Sequence, residues 1–424
     1  LVVAAAAIPA ALVVIATALL MVLGAALMLA PAHAQLTLDV PPQVSLLTFG
    51  PGDIYWQRFG HNALLLRAAD GRAAVFNYGT FDFQQKSFFL NFARGQMRYR
   101  LDVDSFERTL RMYAAEGRWI FEQRLALDDE QRRDLAAFLA ANLKPENVEY
   151  RYDYFADNCS TRVRDALDQV LHGALKAQIE PLPTPVTYRE EVVRLMSPDK
   201  PLAVGMDLGL GPSADRPINL WQHSFLPLTL MQAVRDVRLT DASGAERALV
   251  ESEGWIYRPQ ASEEAEPAGL TGLLPLSLLG AGLAVLLLLS RALRRFGLMR
   301  WTYAMLTMAI SAVAGVTGLV MLAAWALTEH WGMWANQNLL LFNPLLLALI
   351  PVWAGAVRGG WYPAAWAVRV AQLALLIAVA AVAIKSVPGM QQHNLPWIAL
   401  MLPLQMAMTW TLRAAHRSPP IWSR

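Results

Sequence analysis

The sequence of 424 residues contains a single cysteine, Cys159. One thiol cannot form an internal disulfide, a cysteine-based zinc cage or an iron–sulfur cluster. The sequence also has no His-x3-His metal-binding spacing and no Gly-x-Ser-x-Gly nucleophile elbow. We therefore expect neither a metal nor another cofactor, and the one thiol is the candidate for covalent chemistry.

Charged residues are scarce and unevenly placed. They make up 17% of the chain, whereas about a quarter is usual in soluble proteins. Residues 1–270 contain 33 of the 34 Asp and Glu and 26 of the 36 Lys and Arg, for a net charge of −7. Residues 271–424 contain one acid, Glu329, and carry +9. No basic patch interleaved with aromatic residues is present, so we expect no nucleic-acid partner.

Long apolar stretches occupy the second half, at 271–290, 302–327, 339–357, 362–384 and 395–412. Each is close to the ~20 residues that a helix needs to cross a bilayer. The arginines at 291–300, at 358 and after 412 fall in alternate loops, which places them together on the cytoplasmic side. Buried helices of a large soluble protein are the alternative, but the loop charges agree throughout with five transmembrane helices and a cytoplasmic C-terminus.

Residues 1–34 form an apolar leader that ends in Ala32-His33-Ala34. An A-x-A ending is typical of a signal-peptidase site. The run is long for a signal peptide and lacks a basic n-region, so a retained signal anchor is the alternative. Both interpretations place the region that follows outside the cytoplasm.

Residues 35–258 are predicted to form one extracytoplasmic α+β domain, joined to the membrane by an acidic linker at 259–270. Alternating apolar residues predict strands at 44–49, 62–67, 73–78, 97–103, 118–127 and 148–152. Asp70-Gly71 predicts a hairpin turn, and a second hairpin is expected at 237–240 and 248–251. Helical periodicity appears at 105–116, at 129–143 behind Asp128, and at 159–171 behind Asp157 and Asn158.

Cys159 lies in the first turn of the last of these helices. The positive end of a helix dipole lowers a thiol pKa, and the free backbone N–H groups there can hold an oxyanion. A small buried core cysteine is the structural alternative. A thiol nucleophile needs a base, and His61 is the best placed histidine because it begins an apolar strand, where a sheet could aim its imidazole.

The order of these two residues, His first and Cys later at a helix start, resembles the circularly permuted papain-like superfamily. More closely, the chain resembles the Lnb family of bacterial lipoprotein N-acyltransferases. The matching motifs are FGHNA at 59–63, FNYGTFDF at 76–83, DNCSTR at 157–162, NQNL at 336–339 and FNPL at 342–345. The resemblance implies a permuted papain-like domain on the periplasmic side of the bacterial inner membrane, with Cys159 and His61 as the catalytic pair.

A third residue that orients His61 remains open among Asn77, Thr80 and Asp82. Simple pairing about Asp70-Gly71 places Thr80 opposite His61 and points Asn77 away, although the register could slip. Residues that could contact substrate are Tyr154, Asn158, Ser160, Arg162, Asn336, Asn338 and Asn343. Packing, helix capping and solvated helix faces explain most of them as well.

The resemblance implies acyl transfer in two steps. Cys159 would take an acyl chain from a membrane phospholipid, and the thioester would then acylate the N-terminal amine of a diacylglyceryl lipoprotein. A cell-wall amidase or peptidase of the same superfamily is the rival enzyme, although it does not need five crossings. A membrane-anchored binding domain without catalysis is the third interpretation, and it would make Cys159 incidental.

Overall fold

The first half of the chain is built on a seven-stranded antiparallel sheet with the order β11-β5-β1-β2-β3-β4-β6. The computed structural model describes residues 40–81, 83–240, 244–259 and 272–417, so the leader and nearly all of the acidic linker lie outside it. The strands of this sheet are β1 (Gln43–Phe49), β2 (His61–Arg67), β3 (Ala73–Thr80), β4 (Arg98–Ser105), β5 (Ile120–Leu125), β6 (Glu149–Arg151) and β11 (Val250–Tyr257). Strands β7 (Pro183–Thr187) and β8 (Pro217–Asn219) pair with each other apart from it.

Helices cover both faces of the sheet and follow the strands without regular alternation, which confirms the predicted α+β class. In chain order they are α1 (Phe88–Arg94), α2 (Phe106–Ala115), α3 (Asp129–Asn142), α4 (Cys159–Val170), α5 (Ala174–Ile179), α6 (Tyr188–Met196), α7 (Lys200–Gly209), α8 (Leu220–His223) and α9 (Pro227–Asp236). Leu64, Leu66 and Phe76 pack with α4 on one face of the sheet. Leu65 and Val75 pack with Tyr113 of α2 on the other.

The six strands expected from alternation all form, but the second hairpin differs from its prediction. Its arms are β9 (Arg238–Thr240) and β10 (Glu246–Ala248), two residues earlier than expected on the second arm. The segment that follows, β11, pairs instead with β5 at the edge of the main sheet. Most of its side chains are exposed, and an edge strand of this kind carries little of the alternation that sequence patterns detect.

The register of the β2–β3 hairpin also differs from its prediction. The Ala68 N–H donates to the Arg72 carbonyl at 2.8 Å, and Gly71 has a positive φ of 88°. These are the marks of a three-residue loop ending in a left-handed glycine, rather than the two-residue turn that was assumed. Leu64 consequently pairs with Phe76. A shift of one residue moves every side chain to the other face, so Asn77 lies on the same face as His61.

Five apolar segments of the second half are long enough to span a membrane, as predicted. They are span 1 (Leu273–Ala292), span 2 (Gly297–Leu327), span 3 (Gln337–Val357), span 4 (Ala365–Ser386) and span 5 (Leu395–His416). Span 3 is irregular, because it is made of 3-10 turns and one short α-helix, Ile350–Ala354. Non-helical backbone is tolerated at membrane depth only when protein covers it.

Span 2 covers this irregular backbone through its glycines. A Cβ atom at Gly318 would lie 1.9 Å from the Phe342 carbonyl oxygen and 2.9 Å from Pro344 Cδ. No side chain larger than hydrogen fits at that distance. Gly318 is therefore the position that lets span 2 pack directly against the turn before Pro344.

The extracytoplasmic domain is fastened to the membrane domain by buried polar contacts. Arg189 on α6 pairs with Asp215, with Nε and Oδ1 2.6 Å apart, and also contacts Asp207. The second carboxylate oxygen of Asp207 accepts a hydrogen bond of 2.9 Å from the indole of Trp397 in span 5. On the loop after span 2, Glu329 forms an ion pair with Arg151, the last residue of β6. The sheet is thus held directly above the outer ends of the spans.

Candidate active site

Cys159 is the first residue of α4, whose N-terminus is closed by a capping box. The Asn158 side chain accepts hydrogen bonds from the N–H groups of Ser160 and Thr161, and the Thr161 hydroxyl accepts one from the Asn158 N–H. A Cβ atom at Gly79, which has a positive φ of 92°, would lie 3.3 Å from the Cβ of Cys159. The hydroxyl of Ser160, the residue after Cys159, lies 2.8 Å from Oδ1 of Asn62, the residue after His61. The thiol-bearing turn therefore packs against the end of the sheet where His61 begins its strand.

Three backbone N–H groups surround the Cys159 thiol. They belong to Asn62, Ser160 and Cys159 itself, and together with Arg118 they favour the thiolate. Burial is the larger effect and raises the pKa of the Cys159 thiol above its ordinary value. The N–H groups at the start of the helix lower this pKa, as expected, but desolvation outweighs them and the net shift is upward. The resting residue is a neutral thiol with N–H donors already aimed at it.

His61 is held by Asn77 on the neighbouring strand. Its Nε2 lies 3.2 Å from Asn77 Oδ1, so Nε2 donates and Nδ1 keeps the lone pair that can accept a proton. The ring also lies against Phe49 and Tyr113, at centroid distances of 5.7 and 6.3 Å. Burial, assisted by the positive charge of Arg118 and opposed by Asn77, lowers the pKa of His61 to about 4. The imidazole is therefore neutral at neutral pH, as a general base must be.

The thiol and the imidazole share their surroundings. The Asn62 N–H that faces the thiol belongs to the peptide directly after His61. The Arg118 guanidinium lowers the pKa values of both groups, and it lies 4.6 Å from the centroid of the Tyr113 ring that stacks near His61. Burial raises the pKa of Tyr113, with a contribution from the Cys159 charge. Cys159 and His61 therefore share two neighbours, the Asn62 peptide and the Arg118 guanidinium.

Arg118 and Tyr113 are residues of this site that the sequence did not indicate. Arg118 is buried, and its Nε donates to the Gly50 carbonyl at 2.8 Å. Tyr113 reaches the site from α2, on the opposite side of the sheet from α4. Neither residue belongs to a motif, and a buried arginine beside a strand has no pattern by which it could be found.

The remaining candidates for the orienting role differ in position. Thr80 lies beyond an irregularity in β3 and pairs with Arg100 on β4, not with His61. Its predicted place opposite His61 is wrong, for the reason of register given above. Asp82 lies outside the described residues. Asn77, which was expected to point away, is the residue that contacts the imidazole.

The four candidate substrate residues around α4 are engaged within the protein to different degrees. Asn158 fills all four hydrogen-bonding positions of its amide, donating to Tyr154 and Phe225 and accepting from two N–H groups. The buried Ser160 hydroxyl lies 2.8 Å from Asn62 Oδ1 and 2.7 Å from the Ser224 carbonyl oxygen. Arg162 pairs with Asp157 and lies over the Tyr150 ring. Tyr154 is 39% exposed, and its hydroxyl lies 3.3 Å from Met97 Sδ.

Two of the three candidate asparagines of the membrane half join the two domains, and the third caps a turn. Asn336 donates to the Leu208 and Gly209 carbonyls at the end of α7, at 2.9 Å each. Asn338 donates to the same Leu208 carbonyl at 3.0 Å, and Asn343 caps the following turn by accepting from the Leu345 N–H. These contacts explain why polar residues occur at the end of an apolar span. We therefore assign the three side chains to docking and capping.

Replacing Asn336 by alanine is expected to weaken this junction. The change removes the side-chain donor of the Gly209 carbonyl and the acceptor of one Gln392 amide hydrogen, whereas the Leu208 carbonyl keeps its bond from Asn338. Buried polar groups left unpaired cost about 1–3 kcal/mol, so the apparent melting temperature in detergent should fall by several degrees. Asn147→Ala is the matched control, because that side chain is exposed and makes one bond, to Ala141. Equal melting temperatures for the two variants would contradict the assignment.

The alkylation rate of Cys159 should report the raised thiol pKa. Iodoacetamide reacts with the thiolate, and the chain has no other cysteine. Because burial raises this pKa, the rate should still be climbing above about pH 8.5, the ordinary thiol value. A cysteine peptide measured alongside should level off earlier. A plateau of the protein rate near neutral pH would instead indicate a preformed thiolate–imidazolium pair.

Two family models match the chain. The Lnb N-terminal periplasmic domain matches residues 32–193, and the Lnb transmembrane domain matches residues 272–418. The first range contains Cys159, His61 and Asn77, and the second contains all five spans. No curated protein and no solved structure matches the chain.

Proposed function

Because the chain belongs to the Lnb family and is a multi-pass membrane protein with a periplasmic domain, we propose that it is an acyltransferase. It moves a fatty acyl chain from a phospholipid, through a thioester on Cys159, to the N-terminal amine of a diacylglyceryl lipoprotein. Residues 35–258 form the catalytic domain, and the whole protein resides in the bacterial inner membrane. The observation that carries the proposal is that a neutral imidazole and a thiol faced by three N–H donors lie on adjoining segments. Ser160, the residue after Cys159, contacts Asn62, the residue after His61, with Oγ and Oδ1 2.8 Å apart.

In the first step the thiol attacks the ester carbonyl carbon of the phospholipid. His61 Nδ1 accepts the thiol proton as the C–S bond forms. The carbonyl oxygen becomes an oxyanion, and backbone N–H groups at the start of α4 and at Asn62 are placed to stabilise it. The C–O bond then breaks, the lysophospholipid alkoxide takes the proton from His61, and the acyl chain remains on sulfur.

In the second step the lipoprotein amine attacks the thioester carbonyl. His61 accepts a proton from the amine nitrogen, the C–S bond breaks, and the departing thiolate is protonated by His61. The products are an amide on the lipoprotein and free Cys159. The Asn77 hydrogen bond keeps Nδ1 free for both transfers, because it holds Nε2 in the donating tautomer.

The membrane domain supports this reaction by position. Both substrates are anchored in the same leaflet, so a thiol held just above that leaflet works at high effective concentration. The contacts of Asp207, Asn336 and Glu329 fix the height of the catalytic domain over the spans. A soluble cell-wall hydrolase would need none of these contacts.

Mass spectrometry of lipoprotein N-termini tests the proposal. The full chain and its Cys159→Ser form are produced in cells whose own lipoprotein N-acyltransferase is absent. We expect N-acylated termini with the wild type and free amines with the variant. Free amines in both strains, with both proteins present in the membrane, would refute the proposed activity.

A further inference from the structure

An open groove lies between α1 of the catalytic domain and the outer end of span 2. Its volume is about 760 Å³, which is within the usual range for small-molecule sites. Small and apolar side chains form most of its walls, among them Ala93, Val320, Ala323, Leu327 and Met333. The polar part of the lining comes from Arg94, Gln96, Thr328 and His330.

The groove opens at the level of the membrane surface. The Glu329 N–H donates to the Arg94 carbonyl at 2.7 Å, and His330 Nε2 lies 3.0 Å from the Phe92 carbonyl oxygen. These bonds fix α1 to the loop that follows span 2. On α1, Phe89 is 75% exposed and Leu90 is 49% exposed. A helix with exposed apolar side chains beside a membrane span lies in the interface, with those side chains among the lipids.

A row of aromatic rings connects the groove to the active site. Phe88 of α1 is followed by Phe81, Tyr99 and Tyr152, with centroid distances of 6.2, 5.2 and 4.1 Å between successive rings. Tyr152 lies 5.7 Å from Tyr154, which stacks at 5.9 Å on His330 in the groove. Burial raises the pKa of Tyr152, with the charge of Cys159 as the next contribution. The Asn158 side chain donates to the Tyr154 carbonyl at 2.9 Å, and Asn158 directly precedes Cys159, so Tyr154 links the groove to the thiol-bearing turn.

The chemistry of the lining favours a phospholipid. One wall belongs to a membrane-spanning segment, so the groove is continuous with the outer leaflet and accepts a hydrocarbon chain without passage through water. Arg94 stands in the lining and makes no ion pair with any carboxylate of the described residues. A guanidinium beside an apolar groove suits a phosphate headgroup above an acyl chain. A diacylglyceryl lipoprotein carries no phosphate at that point.

We propose that this groove binds the acyl donor, with one chain of a phospholipid between α1 and span 2, its phosphate at Arg94, and its ester directed past Tyr154 toward Cys159. The inference rests on the proposed function and adds to it the route by which the donor reaches the thiol from the side, out of the bilayer.

Ala323→Phe tests the groove by filling it. The full chain is placed in phosphatidylglycerol vesicles, and formation of acyl-Cys159 is followed by mass spectrometry. We expect acylation to slow by roughly ten- to hundredfold, because a displaced ester leaves the near-attack position. Release of nitrophenolate from p-nitrophenyl acetate, which needs no groove, should be unchanged. Ala326→Phe is the matched control, since Ala326 is exposed on the same span and lies outside the groove lining.

Two results would overturn the proposal that the groove binds the acyl donor. One is equal phospholipid acylation in the Ala323→Phe and Ala326→Phe variants, and the other is an equal loss toward phospholipid and p-nitrophenyl acetate. A measurement without catalysis separates this failure from that of the proposed function. Phosphatidylglycerol with a diazirine at the chain end, added to the Cys159→Ser protein, should label peptides within 88–96 or 320–333. Labelling confined to other peptides rejects the groove, whatever the wild type does to phospholipids.

Discussion

Replacing Cys159 by alanine should lower acyl transfer by at least about 10⁴-fold, the scale seen when a covalent nucleophile is removed. No other thiol exists in the chain to take its place. The measurement is the initial rate of N-acylation of a synthetic diacylglyceryl lipopeptide by the full-length protein in phospholipid vesicles. A variant that retains a tenth or more of the wild-type rate would show that Cys159 is incidental.

The fold should survive this substitution. The capping box of α4 is made by Asn158 and Thr161, neither of which is altered. An unchanged melting temperature and unchanged labelling by diazirine phospholipid would separate lost chemistry from lost structure. Asn158→Ala should lower the melting temperature, because it removes the cap of α4 and costs about 1 kcal/mol of stability or more.

Replacing His61 by asparagine should lower the rate of acyl-Cys159 formation by about 10²- to 10⁴-fold, the usual contribution of a general base. In the wild type, the base form dominates above the His61 pKa of about 4. The acid limb of the rate profile should therefore lie near pH 4, not near the ordinary histidine value of about 6.5. The measurement is the burst of acyl-enzyme across the pH range.

His172→Asn is the matched control for His61→Asn. His172 is exposed at the end of α4, with a positive φ of 52° that asparagine tolerates well. Its rate and pH profile should equal those of the wild type. An acid limb that remains near pH 4 in the His61→Asn protein, with only a small loss of rate, would assign the base to another residue.

The lowered pKa of His61 also affects how the stability of the fold depends on pH. Its pKa is lowered on folding, so the folded state disfavours the imidazolium. The neutral form is fully present in both states above about pH 6.5, and folding becomes less favourable as the pH falls from there to about 4. The burial that keeps His61 neutral at neutral pH therefore lowers the free energy of unfolding in mild acid.

Features set by local pattern could be predicted from the sequence. The strands β1 to β6 follow from alternation, and the α3 cap at Asp128 from its spacing to Gln131. The five spans follow from apolar length and from the arginines between them. Each of these depends on residues within a few positions of one another. The thiol at a helix start and the histidine at a strand start belong to the same class.

Features set by tertiary contacts could not be predicted. The identity of the third site residue depended on whether the hairpin loop has two residues or three. The left-handed Gly71 ends a three-residue loop, which shifts the register and brings Asn77 into contact with His61. The direction of the thiol pKa depended on burial, which no local motif records. The role of Asn336 depended on α7, 128 positions earlier in the chain.

A pulse-chase measurement tests the central claim, that the acyl chain passes through Cys159. Wild-type protein is first incubated with phosphatidylglycerol, and the diacylglyceryl lipopeptide with its free amine is then added. We predict one acyl group on the Cys159 peptide, removable by hydroxylamine, that disappears as the lipopeptide amide appears and at least as fast as steady-state turnover. An acyl group on another residue, or a Cys159 label that persists while the lipopeptide is acylated, would contradict the account.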